Sequence, residues 1–287
     1  MRSLLFAPAD SERKLAKARE SGADALILDL EDSVAAARRP EARKLARTFL
    51  AQARRADQRL YVRINPLAGS DALQDLAAVL PGRPDGIMLP KSTPDGVRTL
   101  AHYLAALEAA AGIPQGATRI IAIATETPGA IFELGGYGGV SPRLEGLTWG
   151  AEDLAAVLGA ANRRPDGVYD DVFRLACALC LLAAGAAGVL PIDTVFTDFK
   201  NADGLEAECA VARRAGFTGK MAIHPAQVPV INKAFSATAE EIAWAREVIA
   251  AFAANPEAGV IGIGGKMIDR PHLVLAERLL ARTGGGR

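Results

Sequence analysis

Short apolar runs alternate with longer stretches of helical period along most of this chain. The runs are Ser3–Ala7, Ala25–Leu28, Leu60–Ile64, Gly86–Leu89, Ile120–Ala124, Leu144–Trp149, Val189–Asp193 and Lys220–Ile223. Between them, helical patterns cover Ser11–Ser21, Pro40–Ala53, Gly96–Ala111, Asp153–Ala160, Tyr169–Ala187 and Gly204–Ala215. Strands that alternate with helices predict a parallel sheet joined by right-handed crossovers. Eight strands in about 225 residues is the number and span of a (β/α)8 TIM barrel. A doubly wound open sheet is the alternative, and it normally places a phosphate-binding glycine turn after its first strand. Here that turn reads Phe6-Ala-Pro-Ala-Asp-Ser-Glu-Arg13, without glycine.

Beyond Ser236 the pattern changes. Thr238-Ala-Glu-Glu241 is a capping-box signal that predicts a helix to about Ala254. Gly259–Asp269 reads as a glycine-rich hairpin, and Pro271–Arg282 as a last helix. The chain thus divides into a barrel over 1–235 and a helical and hairpin extension over 236–287, which either packs on its own barrel or reaches a neighbouring subunit.

Composition narrows the class of function. The 287 residues carry 50% apolar side chains, enough for a large core, and a formal net charge of +0. A balanced charge gives no footprint for nucleic acid or for an anionic membrane surface. Three cysteines, with no signal-like start, argue against a disulfide framework. The apolar stretch Leu175–Pro191 is shorter than the ~20 residues a bilayer span needs. The expectation is a soluble cytoplasmic protein.

The chemistry lies at the strand ends. In order they offer Asp29, Glu31 and Asp32; Arg63 and Asn65; Lys91; Glu126; Glu152 and Asp153; Asp193; and His224. In a barrel these ends converge on one face, where active sites sit. Glu126 and Asp153 each close an apolar strand. Two carboxylates that leave most positions to water and substrate suit Mg²⁺. Either acid alone would equally serve as a helix cap. Cys177-Ala-Leu-Cys180 lies in an apolar helical stretch and reads as core thiols. Gly262-Ile-Gly-Gly265 and Gly135-Gly-Tyr-Gly-Gly139 lack the context of nucleotide loops and read as turns.

Several segments together carry a resemblance. Arg2-Ser-Leu-Leu-Phe-Ala-Pro8, Gly22–Val34 with its Leu-Asp-Leu-Glu-Asp core, Tyr61-Val-Arg-Ile-Asn65 and Met88-Leu-Pro-Lys91 resemble the citrate lyase β-subunit-like CoA-ester lyases of the HpcH/HpaI aldolase superfamily. So do the Glu126 and Asp153 segments, Ala222-Ile-His-Pro225 and Gly265-Lys-Met-Ile-Asp269. The resemblance implies a TIM barrel, a trimer or hexamer, and Mg²⁺ (or Mn²⁺) as cofactor. It implies reversible C–C cleavage of a malyl-, citramalyl- or citryl-CoA-type thioester to acetyl- or propionyl-CoA and an oxoacid. Carried over, Glu126 and Asp153 are the metal ligands and Arg63 holds the substrate oxygens. Asp29, Glu31 and Asp32 form the acidic loop beside the metal. Arg13 and Lys17 meet the CoA phosphates; Asn65, Lys91 and His224 are further substrate contacts. Asp269 is the acid that a neighbouring subunit's tail brings to the site. Thr125 and Pro128 flank Glu126 where the family pattern differs. The same resemblance leaves open a malyl-CoA-type thioesterase, a pyruvate-dependent class II aldolase, and a citrate lyase β chain that needs an acyl-carrier partner.

Overall fold

A computed structural model describes residues 1–52 and 58–284. They form two compact units, the first Met1–Ala234 and the second beginning at Phe235.

The first unit is a closed barrel of eight parallel strands: Ser3–Pro8 (β1), Ala25–Asp29 (β2), Arg59–Arg63 (β3), Gly86–Leu89 (β4), Arg119–Ile123 (β5), Leu144–Thr148 (β6), Leu190–Asp193 (β7) and Gly219–Ala222 (β8). Neighbours pair in sequence order, and β1 closes on β8 with Leu4 opposite Met221. This is the TIM barrel that the alternation predicts, and each strand lies within one residue of its predicted bounds.

Around it run Glu12–Arg19 (α1), Arg39–Gln52 (α2), Asp71–Val79 (α3), Pro94–Ala110 (α4), Pro128–Phe132 (α5), Ala151–Leu158 (α6), Asp171–Ala187 (α7), Ala202–Ala215 (α8) and Gln227–Phe235 (α9). The predicted end of the second helix, Ala53, lies outside the described residues. Helix starts follow local chemistry. Ser11, Thr93 and Asn201 each accept an amide N–H of the first turn. Thr127 does the same for α5, with Pro128 in the first turn where its missing N–H costs nothing.

Parallel strands in a barrel send alternate side chains inward and outward. Leu4, Ile27, Tyr61, Met88, Ile121 and Ile192 fill the interior. Residues of opposite parity, such as Leu26, Val62 and Ile120, are equally buried, beneath the helices.

The second unit holds Ala239–Ala254 (α10), the antiparallel strands Val260–Ile263 (β9) and Lys266–Asp269 (β10), and Arg270–Gly284 (α11). The capping box is present: Thr238 and Glu241 satisfy each other's backbone N–H groups. Gly264 and Gly265 take φ of 57° and 77°, the left-handed pair that a two-residue hairpin turn requires. Ala245, Val248, Phe252, Ile268 and Ala276 form this unit's own core. No helix among the described residues is long and apolar enough to cross a membrane.

At the strand-start end of the barrel, α4 is fastened by a buried ion pair. Arg143 donates to both carboxylate oxygens of Glu108, at 2.7 and 2.6 Å. The amides of Thr118 and Gly116 donate to the same carboxylate, at 2.8 Å each. Burial alone would raise the Glu108 carboxyl, but Arg143 and the two amides override it and hold it at about 2. A carboxyl lowered on folding contributes stability that is complete above its ordinary value, 4.5, and is lost as pH falls towards 2. Glu108→Ala strands the buried guanidinium. It should cost about 3–5 kcal/mol in urea unfolding at pH 7, and the gap from the parent should narrow below pH 4.5. A gap that is small, or constant with pH, would remove the pair from the list of stabilising contacts.

Candidate active site

The strand ends surround a cleft of about 280 Å³ on the strand-exit face of the barrel. One half is charged, with Asp29, Asp32, Arg63, Glu126 and Asp153 in its wall; the other is apolar, with Phe6, Pro8, Ile123, Val195, Met221 and Ile223. Of the candidate residues, the structure therefore brings Glu126, Asp153, Arg63 and Asp32 to one cavity, together with Asp29 and Glu152.

Inward parity explains Asp29 and Arg63. Each is the last residue of its strand and follows Ile27 or Tyr61 by two, so both emerge above the barrel interior. They pair side by side: Arg63 Nε and Nη2 donate to the two oxygens of Asp29, each at 2.7 Å. Nη1 lies 3.0 Å from Glu31 Oε2 and 3.8 Å from Asp32. The guanidinium also lies over the Phe6 ring, 4.7 Å from its centroid. Burial would raise the Asp29 carboxyl, but Arg63 holds it below its usual range.

Lys91 links this pair to the other acids. Its ammonium is 2.8 Å from Glu31 Oε1 and 3.1 Å from Asp153 Oδ1, and its backbone N–H donates to Glu126 Oε2. The backbone at Lys91 is left-handed, with φ 46°, which a non-glycine residue seldom adopts. Burial would lower this lysine, yet Glu31, Glu126 and Asp153 together raise it, so the ammonium stays charged.

Glu126 is 2% exposed. Burial, reinforced by the charges of Asp153 and Glu31 and opposed by the Lys91 N–H, pushes its carboxyl up to about 8. Glu31 is also raised by burial, and its Oε2, though beside Arg63, has no hydrogen-bond partner. Acids crowded in this way are short of positive charge. Hard carboxylate oxygens facing a water-accessible cleft are the donors that Mg²⁺ or Mn²⁺ takes, so Glu126 and Asp153 fit a divalent ion. Among the described residues there is no group of three or more His, Cys, Asp or Glu that would enclose a metal. The pair leaves coordination positions open, as a catalytic ion needs.

Other candidates lie elsewhere. Asn65 is not in the cleft wall: it is buried, and its side-chain amide is spent on Asp75 Oδ2 at 2.8 Å and Leu30 O at 3.0 Å. Arg13 and Lys17 are exposed on α1. His224 stacks on Phe199 with ring centroids 4.8 Å apart, and its Nδ1 accepts the Ala226 N–H at 3.2 Å. Asp269 belongs to the second unit, where its carboxylate meets His272 Nδ1. Asp193 corrects the expectation that all strand-end acids face the site. Its parity is outward. It accepts from the Trp149 indole at 2.8 Å and from the fully buried Lys220 at 2.7 Å, a structural pairing. The sequence reading also missed Ser33, Thr194 and the apolar wall. Counting by twos from Ile192 and Met221 would have found Thr194 and Ile223.

Comparison with known proteins agrees with this geometry. Residues 2–225 match the HpcH/HpaI aldolase/citrate lyase family. A citrate lyase subunit beta-like protein of Mycobacterium tuberculosis is 38% identical over 281 residues, covering 98% of this chain and 94% of that one. A (3S)-malyl-CoA thioesterase of Cereibacter sphaeroides is 36% identical over 291 residues, again covering 98% and 94%. The crystal structure of CitE from M. tuberculosis in complex with magnesium, acetoacetate and coenzyme A superposes with TM-score 0.79 at 37% identity, covering 99% and 98%. The chain belongs to the HpcH/HpaI aldolase/citrate lyase family, in its citrate lyase β-like branch. It is an enzyme of the lyase class.

Gly150 makes room for Glu126: a Cβ there would lie 2.6 Å from Glu126 Cγ. Gly150→Ala should therefore displace Glu126, cost about 1–3 kcal/mol by overpacking, and lower turnover at least tenfold. Parent-like urea unfolding and kinetics would show that Glu126 is not confined by this contact.

Proposed function

We propose that this protein is a Mg²⁺-dependent C–C lyase that cleaves, or forms, a malyl-, citramalyl- or citryl-CoA-type thioester. The observation that carries the reading is the acid Glu126, raised by burial and by the charges of Asp153 and Glu31, and set with Asp153 and Arg63 in one cleft. The related structure with magnesium, acetoacetate and coenzyme A supports it. Glu126 and Asp153 would hold the ion. Mg²⁺, with Mn²⁺ as a substitute, would act as a Lewis acid on an oxygen that gains negative charge during cleavage.

The remaining work falls to this chain's own groups. Cleavage gives an oxoacid, such as glyoxylate, pyruvate or oxaloacetate, and the enolate of acetyl- or propionyl-CoA. The enolate needs fixed positive charge that does not reorganise. Arg63 supplies it, because Asp29 locks the guanidinium on one edge while the side chain still lines the cleft. Asp32, whose side chain is 57% exposed at the rim, is placed to exchange a proton with the substrate hydroxyl. Glu31 orients Lys91 and Arg63 together. The apolar half of the cleft accommodates the alkyl part of the acyl group. Arg13 and Lys17 take the CoA phosphates, and His224 contacts the CoA arm.

In the reverse direction Asp269, acting in a neighbouring copy's site within a trimer or hexamer, removes a proton from the acyl α-carbon. His272 Nδ1 holds its carboxylate. If Asp269 directs water instead, the same site hydrolyses the thioester, as the name of the C. sphaeroides relative describes for that protein.

A panel of CoA thioesters and oxoacids, run in both directions with and without Mg²⁺ and read by mass, tests the proposal. Mg²⁺-dependent production of acetyl- or propionyl-CoA plus an oxoacid is the expected result. Glu126→Gln should lower kcat about 10³-fold or more with circular dichroism unchanged. Asp269→Asn should impair condensation more than it impairs CoA binding. Release of free CoA and a hydroxyacid would make the protein a thioesterase. Turnover only with an acyl-carrier partner would make it a citrate lyase β chain. Turnover of free pyruvate adducts alone would make it a class II aldolase.

A further inference from the structure

The Lys91 ammonium bridges Asp153 and Glu31, and the backbone N–H of the same residue reaches Glu126. Four carboxylates, Asp29, Glu31, Glu126 and Asp153, are linked through this lysine and Arg63 into one chain of contacts. These four acids outnumber the two cations, and Asp32, 3.8 Å from Arg63, adds a fifth carboxylate at the edge of the cluster. Asp32 and Glu152 lie exposed at the rim, where water and salt screen them. We propose that Lys91 sets the charge of this cluster: its ammonium offsets one of the negative charges that draw a cation to Glu126 and Asp153.

The inference rests on the reading that Glu126 and Asp153 hold a divalent ion, and it assigns Lys91 a role separate from substrate contact. The lysine is a positioning residue with a cost. Its backbone N–H orders Glu126, while its positive charge opposes the cation that Glu126 and Asp153 are to bind. The two effects reside in different atoms and are separable by substitution. Glycine takes φ 46° without strain and keeps the backbone N–H. Methionine keeps the bulk of the side-chain stem. Arginine keeps the charge.

The test is binding, not turnover. Mn²⁺ is titrated against the protein by electron paramagnetic resonance, and Tb³⁺ by luminescence, at fixed pH and 0.1 M salt. Lys91→Gly and Lys91→Met should each bind Mn²⁺ about tenfold more tightly than the parent, since one positive charge near the ion is gone. They should bind Tb³⁺ tighter by a larger factor. Lys91→Arg should stay within about twofold of the parent, and Glu31→Gln should weaken Mn²⁺ about tenfold. Unchanged or weaker Mn²⁺ binding in both Lys91→Gly and Lys91→Met, with folded proteins by circular dichroism, overturns the charge-setting role. Glu126→Gln separates the two levels. If that variant binds Mn²⁺ as tightly as the parent, the carboxylate pair is not the metal site and the underlying reading fails. If it loses Mn²⁺ while the Lys91 variants are unchanged, only this inference fails.

Discussion

Side-chain parity in a closed barrel governs most of what this molecule presents. Once eight parallel strands close in register, each residue is committed either to the interior column or to the layer beneath the helices. A slip of one residue would exchange the two sets. The commitment carries past the apolar core to the strand exits. Asp29 and Arg63 continue the inward columns of Ile27 and Tyr61, so they meet above the core as a two-point ion pair. Asp193 and Lys220 belong to the outward set and meet there instead, tying β7 and β8 to Trp149 and α8. Two similar acid–base pairs thus have different fates because their positions differ by one step of the pleat.

Parity alone does not build the cleft. The strand exits supply acids in excess, and excess acid in a half-buried space is unstable until it is paired or protonated. The fold handles this in two ways. Arg63 and Lys91 neutralise part of the charge through direct contacts, and the left-handed backbone at Lys91 turns a main-chain N–H towards Glu126. The remainder is left at Glu126, whose carboxyl is raised first by burial and further by the charges of Asp153 and Glu31. Strain at Lys91 and the raised carboxyl at Glu126 occur within one contact of each other. That is the expected distribution when local stability yields to function.

The barrel was legible because its signal is redundant. Eight apolar runs bounded by turns each locate themselves, and an error in one does not move the others. The helices were less complete. Asp71–Val79, Pro128–Phe132 and Gln227–Phe235 escaped the sequence reading. The second of these is barely more than a turn. The third carries Pro229 near its start, where proline ends a pattern on paper but is tolerated in a first helical turn. At the site, residue type at a strand end brought Glu126, Asp153, Arg63 and Asp32 into view, and the structure places all four in one cavity. The same rule also selected Asn65 and Asp193, which are buried structural clamps. Residue type specifies chemistry but not direction. Direction comes from parity inside a strand, and beyond the strand from partners such as Asp75 that only the folded chain brings near.

The two halves of the cleft divide the chemical problem. Electrostatic groups on the exits of β2, β3 and β4 and at the start of α6 are bound to each other by short ion pairs, so moving one disturbs several. The apolar wall of Val195, Met221 and Ile223 has no such mutual fastening and meets the cleft only by shape. Substitutions in the first group act together and are expected to be non-additive. Substitutions in the second act one at a time, and a change of one methylene there is worth about 1–3 kcal/mol in discrimination. Changes at the β7 and β8 exits can therefore reshape the apolar wall while the ion-pair network stays intact.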